Sequence, residues 1–225
     1  SHDKQAPGQA EDLEGLVMAA RSHDRTGRSA QRDVRLTRLD AVGDSLGPVR
    51  PGMDVYVLTF GQFDLSDVID YLLSGVGPAD LVVATWTAGA ADLERAGRLL
   101  DDERLLSVRF IVDQSFPNRQ PAYYAKLVDR FGESAVTITR SHCKFVLIAG
   151  AEYRLVIRTS MNLNANRRLE NLEVSDDPEL FSFMETVVDE VFDEGGSKQP
   201  PQLVGMESVV PVDRIRTGRV VRVGT

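Results

Sequence analysis

The chain is poor in the residues that build disulfide frameworks and zinc centres. It has one cysteine and three histidines among 225 residues. One cysteine excludes an intrachain disulfide and suits a reducing compartment, so a cytoplasmic protein is expected. So few thiol and imidazole ligands also exclude a zinc site of the usual kind, and neither a metal nor another cofactor is expected. There is no apolar run of about 18 residues and no leader with charged, apolar and small-residue regions. The expectation is a soluble, unexported protein without a membrane partner. Nor is there an excess of positive charge: 26 Lys and Arg stand against 34 Asp and Glu, a net charge of −8. That argues against coating nucleic acid by bulk charge. The deficit is local, since Asp176 to Glu194 holds eight acidic residues and no Lys or Arg. The basic residues of the rest are clustered.

What is present divides the chain into three. Residues 1–47 read as an N-terminal extension. Within it Glu11 to Arg21 suits a short helix, and Arg21, Arg25, Arg28, Arg32, Arg35 and Arg38 recur at helical spacing. That face is either solvated or a contact for nucleic acid or a protein partner. Gly43 to Gly52, with Pro48 and Pro51, reads as a linker. Residues 48–194 alternate strand and helix patterns. Strands are expected at Met53–Thr59, Leu81–Trp86, Leu106–Val112 and Ala135–Thr139, and helices at Leu65–Leu73, Ala90–Leu100 and Pro121–Phe131. Asp64 or Ser66 is placed to cap the first of these helices. Such alternation predicts an α/β domain with a mostly parallel mixed sheet flanked by helices. Pro178–Phe192 closes it as an amphipathic helix. Residues 195–225, opened by Gly195-Gly196 and Pro200-Pro201, read as a C-terminal tail suited to a protein or nucleic-acid partner.

The chemistry concentrates between Ser141 and Val174. His142 and Lys144 precede the apolar run Phe145 to Ile148. Alternation along a strand sets them on one face, about 7 Å apart, with Cys143 on the other and expected in the core. A turn and a second strand, Tyr153–Arg158, complete an appended hairpin. That strand delivers Ser160 and Asn162, and a further short strand, Asn171–Val174, carries Glu173. An imidazole, an ammonium, two hydrogen-bonding side chains and a carboxylate are what an anionic phosphoryl group requires. Each alone has an ordinary reading: a structural histidine, a strand-edge lysine, a turn cap, a surface ion pair.

His142-x-Lys144, Ser160-x-Asn162 and Asn171-x-Glu173 together resemble the signature of phospholipase D-like phosphodiesterases, in a single-motif form. The chain departs from the full motif at Ala149, where an Asp is usual. The resemblance implies a phospholipase D-like fold and metal-independent hydrolysis. In it one imidazole attacks phosphorus to form a phosphohistidine, and a second protonates the leaving oxygen. Lys144 and Asn162 would hold the phosphoryl oxygens with Ser160 nearby, and Glu173 would set the His142 tautomer. His2 and His23 lie in the N-terminal extension, so the second imidazole implies a homodimer. The expected substrate is nucleic acid, DNA or RNA. Trp86 and Arg119, at expected C-terminal strand ends, are candidate substrate contacts. The alternative is a catalytically silent module of this fold that binds nucleic acid or a protein partner within a larger assembly.

Overall fold

The computed structural model describes residues 32–36, 41–164 and 168–195. The helix expected at Glu11–Arg21, Arg21, Arg25, Arg28 and Arg38, and the tail beyond residue 195, lie outside these residues. Fourteen elements follow in order: β1 (Asp33–Leu36), α1 (Val42–Leu46), β2 (Asp54–Thr59), α2 (Leu65–Val76), β3 (Ala79–Thr85), α3 (Ala90–Asp101), β4 (Leu105–Asp113), α4 (Phe116–Arg119), α5 (Pro121–Phe131), β5 (Val136–Thr139), β6 (Phe145–Ala149), β7 (Arg154–Thr159), β8 (Glu170–Asp176) and α6 (Pro178–Gly195).

All eight strands form one sheet in the order β1-β2-β8-β7-β6-β3-β4-β5. The α/β class is as expected, but the sheet is not mostly parallel. β1–β2, β3–β4 and β4–β5 are parallel, whereas β2–β8, β8–β7, β7–β6 and β6–β3 are antiparallel. The reason is the hairpin. Its short turn permits only antiparallel pairing, and β8 returns beside it. The three strands enter between β2 and β3, so the motif sits at the centre of the sheet and is not appended to it.

Both faces are covered, which is why the central strands are apolar on alternate and consecutive positions alike. The larger core holds Val55, Val83, Phe110, Val146, Ile157 and Val174 against Leu46, Leu72, Leu93 and Leu127 of the helices. The smaller holds Val82, Ile111, Leu147 and Val156 against Phe181, Val188 and Val191 of α6. Asp64 caps α2 as expected: its side chain accepts from the Asp67 amide, and the Asp67 side chain accepts from the Asp64 amide.

Two readings change near the start. Asp33-Val34-Arg35-Leu36 alternates polar and apolar residues, and it is a strand pairing with β2 where helical spacing of the arginines suggested a helix. The expected linker, Gly43 to Gly52, begins inside α1, whose Val42 and Leu46 are buried. Beyond the end of β4, where Arg119 was expected at a strand end, Phe116-Pro117-Asn118-Arg119 forms the short helix α4 with Phe116 buried. No described helix is long and apolar enough to cross a membrane.

Candidate active site

At one end of the central strands the C-terminal ends of β2, β3 and β7 meet the N-terminal ends of β6 and β8. They enclose a cleft of about 400 Å³. His142, Lys144, Ser160, Asn162 and Trp86 all line it. So do Asp64, Asn164, Arg168 and Glu170, which the motif reading did not include.

Backbone pairing sets the spacing of these groups. The Thr159 amide donates to the Lys144 carbonyl at 3.3 Å, tying the entry of β6 to the exit of β7. The Ser160 amide donates to the Asn171 carbonyl (3.2 Å), and the Asn171 amide donates to Ser160 Oγ (3.0 Å). The Ser160 hydroxyl in turn donates to the Glu170 carboxylate. Beyond it, the Leu163 amide donates to Thr85 Oγ1 (3.1 Å), and the Gly89 amide donates to the Leu163 carbonyl (2.7 Å). Asn162 is therefore pinned between two anchored residues. Its side-chain Oδ1 is buried with no hydrogen-bond partner among the described residues. Such an atom costs about 1–3 kcal/mol unless something supplies a partner. His142 is exposed, and Lys144 Nζ stands 3.5 Å from its Nδ1 and 3.4 Å from its carbonyl oxygen. At 3.5 Å the ring contact is at the limit of a hydrogen bond.

Glu173 is placed elsewhere. Along β8, Leu172 and Val174 face the larger core, so strand alternation turns Glu173 to the opposite face. The residue is 9 % exposed; its carboxylate accepts from Arg158 and forms an ion pair with Arg32, which also donates to Asp54 at 3.1 Å. Glu170 shares the parity of Leu172 and Val174, as Lys144 shares that of Val146 and Ile148. It is therefore Glu170 whose carboxylate reaches the cleft. The sequence held this signal: Asn171, Glu173 and Ser175 alternate with two apolar residues. It stayed silent because Phe145 to Ile148 is apolar on both faces and does not reveal which face His142 and Lys144 join.

Ala149 lies at the far end of β6, about 17 Å from Lys144 by strand rise. There it pairs with Asp80 and Arg154. The departure from the motif is thus remote from the cleft. Cys143 is exposed and not in the core, because β6 begins at Phe145 and the residues before it have no covering layer.

Trp86 and Arg119 are brought together, Trp86 in the cleft and Arg119 stacked on it. The guanidinium lies 3.8 Å from the indole centroid and donates to the Trp86 carbonyl at 2.9 Å. Trp86 and His142 have ring centroids 5.8 Å apart, tilted by 52°. Arg119 Nε donates to Ser115 Oγ (2.9 Å), and the Ser115 hydroxyl and amide donate to Asp113. Burial alone would raise the Asp113 carboxyl; the Ser115 hydroxyl and amide outweigh it and hold it low. In the cleft, burial pushes the Asp64 carboxyl above the usual value.

Among the described residues no group of three His, Cys, Asp or Glu side chains is placed to hold a metal ion. No protein-family model and no curated protein matches the chain. Among solved structures it is similar to NucT from Helicobacter pylori, at 18% identity and a TM-score of 0.46, over 62% of this chain and 96% of that one. It is similar to Nuc from Salmonella typhimurium, a phospholipase D family member, at 11% identity and 0.44, over 63% and 96%. It is also similar to polyphosphate kinase from Porphyromonas gingivalis, at 12% identity and 0.46, over 68% and 27%. Likenesses this low leave any functional reading to the site's own residues.

Proposed function

We propose that this protein is a metal-independent phosphodiesterase, a nuclease that acts as a cytoplasmic homodimer through a phosphohistidine. The observation that carries the reading is the cleft itself: His142, Lys144, Ser160 and Asn162 converge there from two strand ends, the entry of β6 and the exit of β7. Lys144 supplies the fixed cation for the non-bridging oxygens, and the Asn162 amide, whose oxygen has no partner among the described residues, supplies polar contact. A ring nitrogen of His142 attacks phosphorus; the P–N bond forms as the P–O bond to the leaving group breaks. The leaving oxygen takes a proton from the second copy's imidazole. Water then attacks phosphorus, returns a proton to that imidazole and releases His142. The exposure of His142 suits an approach of two copies across a two-fold axis. The carboxylate assigned to orient the imidazole is Glu170, which occupies the cleft, in place of Glu173.

The alternative, a silent module that binds nucleic acid or a protein partner, draws on the loose hold on His142, whose ring is approached by Lys144 at 3.5 Å and lies 5.8 Å, centroid to centroid, from Trp86. One experiment separates the two. Single- and double-stranded DNA and RNA are incubated with wild type and His142→Ala in excess chelator. Cleavage by wild type that disappears in the variant supports the enzyme. Binding without cleavage by folded, dimeric wild type replaces it with the module.

A further inference from the structure

We propose that Trp86 is a nucleobase-stacking subsite beside His142, and that the substrate is a nucleic-acid strand whose base next to the scissile phosphate is unpaired. This rests on the phosphodiesterase reading and names its substrate class. Trp86 is half-buried and belongs to neither apolar core, although an indole is among the largest apolar groups a core can take. It lines the cleft instead, one ring away from His142.

The ring is held before any ligand arrives. Arg119 lies 3.8 Å from its centroid and is itself fixed by the Trp86 carbonyl and by Ser115, which donates to Asp113. A surface already immobilised loses little freedom when a second ring stacks on it. The geometry suits a nucleotide. In a nucleotide a single sugar separates phosphorus from base, so a phosphate held by His142 and Lys144 leaves its base over the neighbouring indole. Leu169, 61 % exposed, adds apolar surface to the same cleft. A base in a duplex has both faces covered and must leave the stack to use such a site, whereas single strands offer theirs at once.

Trp86 is the one tryptophan in the chain, so its emission reports on this ring alone. The test uses the full chain carrying His142→Ala, titrated with a short oligothymidylate and with an abasic strand of the same length. The oligothymidylate is expected to quench the emission and to bind about tenfold or more tightly than the abasic strand. With binding followed by the fluorescence anisotropy of end-labelled strands, since these variants have no tryptophan, that advantage disappears in Trp86→Ala while abasic binding is unchanged, and Trp86→Phe keeps most of it. Equal weakening of both strands by Trp86→Ala would overturn the subsite and leave Trp86 as support for His142. Cleavage by wild type without quenching keeps the nuclease and overturns the subsite. Quenching without any cleavage keeps the subsite and overturns the hydrolase.

Discussion

Glu170 and Glu173 stand three positions apart on β8, yet they belong to opposite regimes of the molecule. Around Glu173, on the α6 face, every charge is answered: Arg158, Arg32 and Asp54 close a network at the edge of the core. Around Glu170, in the cleft, groups are left partly uncommitted. Asn162 has a buried oxygen with no described partner, and His142 is approached by an ammonium. A network that satisfies itself serves stability. A cluster that leaves polar atoms waiting spends stability on a ligand.

Substitutions can sharpen or break this division. His142→Ala and Lys144→Ala should each lower kcat by about 10³-fold or more, with the melting temperature within about 2 °C of wild type. A loss of fold in either would place those side chains in the wrong regime. Glu173→Gln should do the reverse, losing about 1–3 kcal/mol in denaturant unfolding with turnover per folded molecule nearly unchanged. Glu170→Gln should lower kcat by about 10–100-fold and leave unfolding almost unmoved. If the two glutamates exchanged phenotypes, the assignment of the cleft carboxylate would be wrong.

A smaller effect is expected in the pH dependence of stability. Asp92 is buried beside α2, accepting from Ser66 Oγ at 2.5 Å, and burial raises its carboxyl. The folded chain then holds this proton more tightly than the unfolded chain. Stability therefore falls as pH rises from the ordinary value of 3.8 through the raised one, and it stays lower above. Asp92→Asn should flatten that descent in thermal unfolding followed across acidic pH. An unchanged profile would remove Asp92 as its source. Least affected should be Ala149→Asp: at the far end of β6 it should alter kcat by less than about twofold, since roughly 17 Å of strand separates it from Lys144.

Apart from α4, the strand and helix rhythm from Asp54 to Gly195 was legible because each of these elements carries its own period and its own punctuation. Asp64 and Gly77 bracket α2, and Pro121 and Gly132 bracket α5. The direction of the sheet was not legible, because it depends on where the β6–β7 hairpin inserts, and pairing partners leave no local pattern. The site shows the same split. His142, Lys144, Ser160 and Asn162 follow one another along the chain closely enough for spacing to deliver them to one end of the central strands. The choice between Glu170 and Glu173 needs the face of the sheet, which the doubly buried run Phe145 to Ile148 conceals. Arg119 on Trp86 depends on α4 following β4, a contact 33 positions apart in sequence.

The most direct test of the account is a search for the covalent intermediate. Wild type turning over a backbone-labelled oligonucleotide in chelator is quenched in alkali and its peptides mapped. The account predicts label on the peptide containing His142, and none in His142→Ala. Turnover by wild type with no label on any histidine would contradict it.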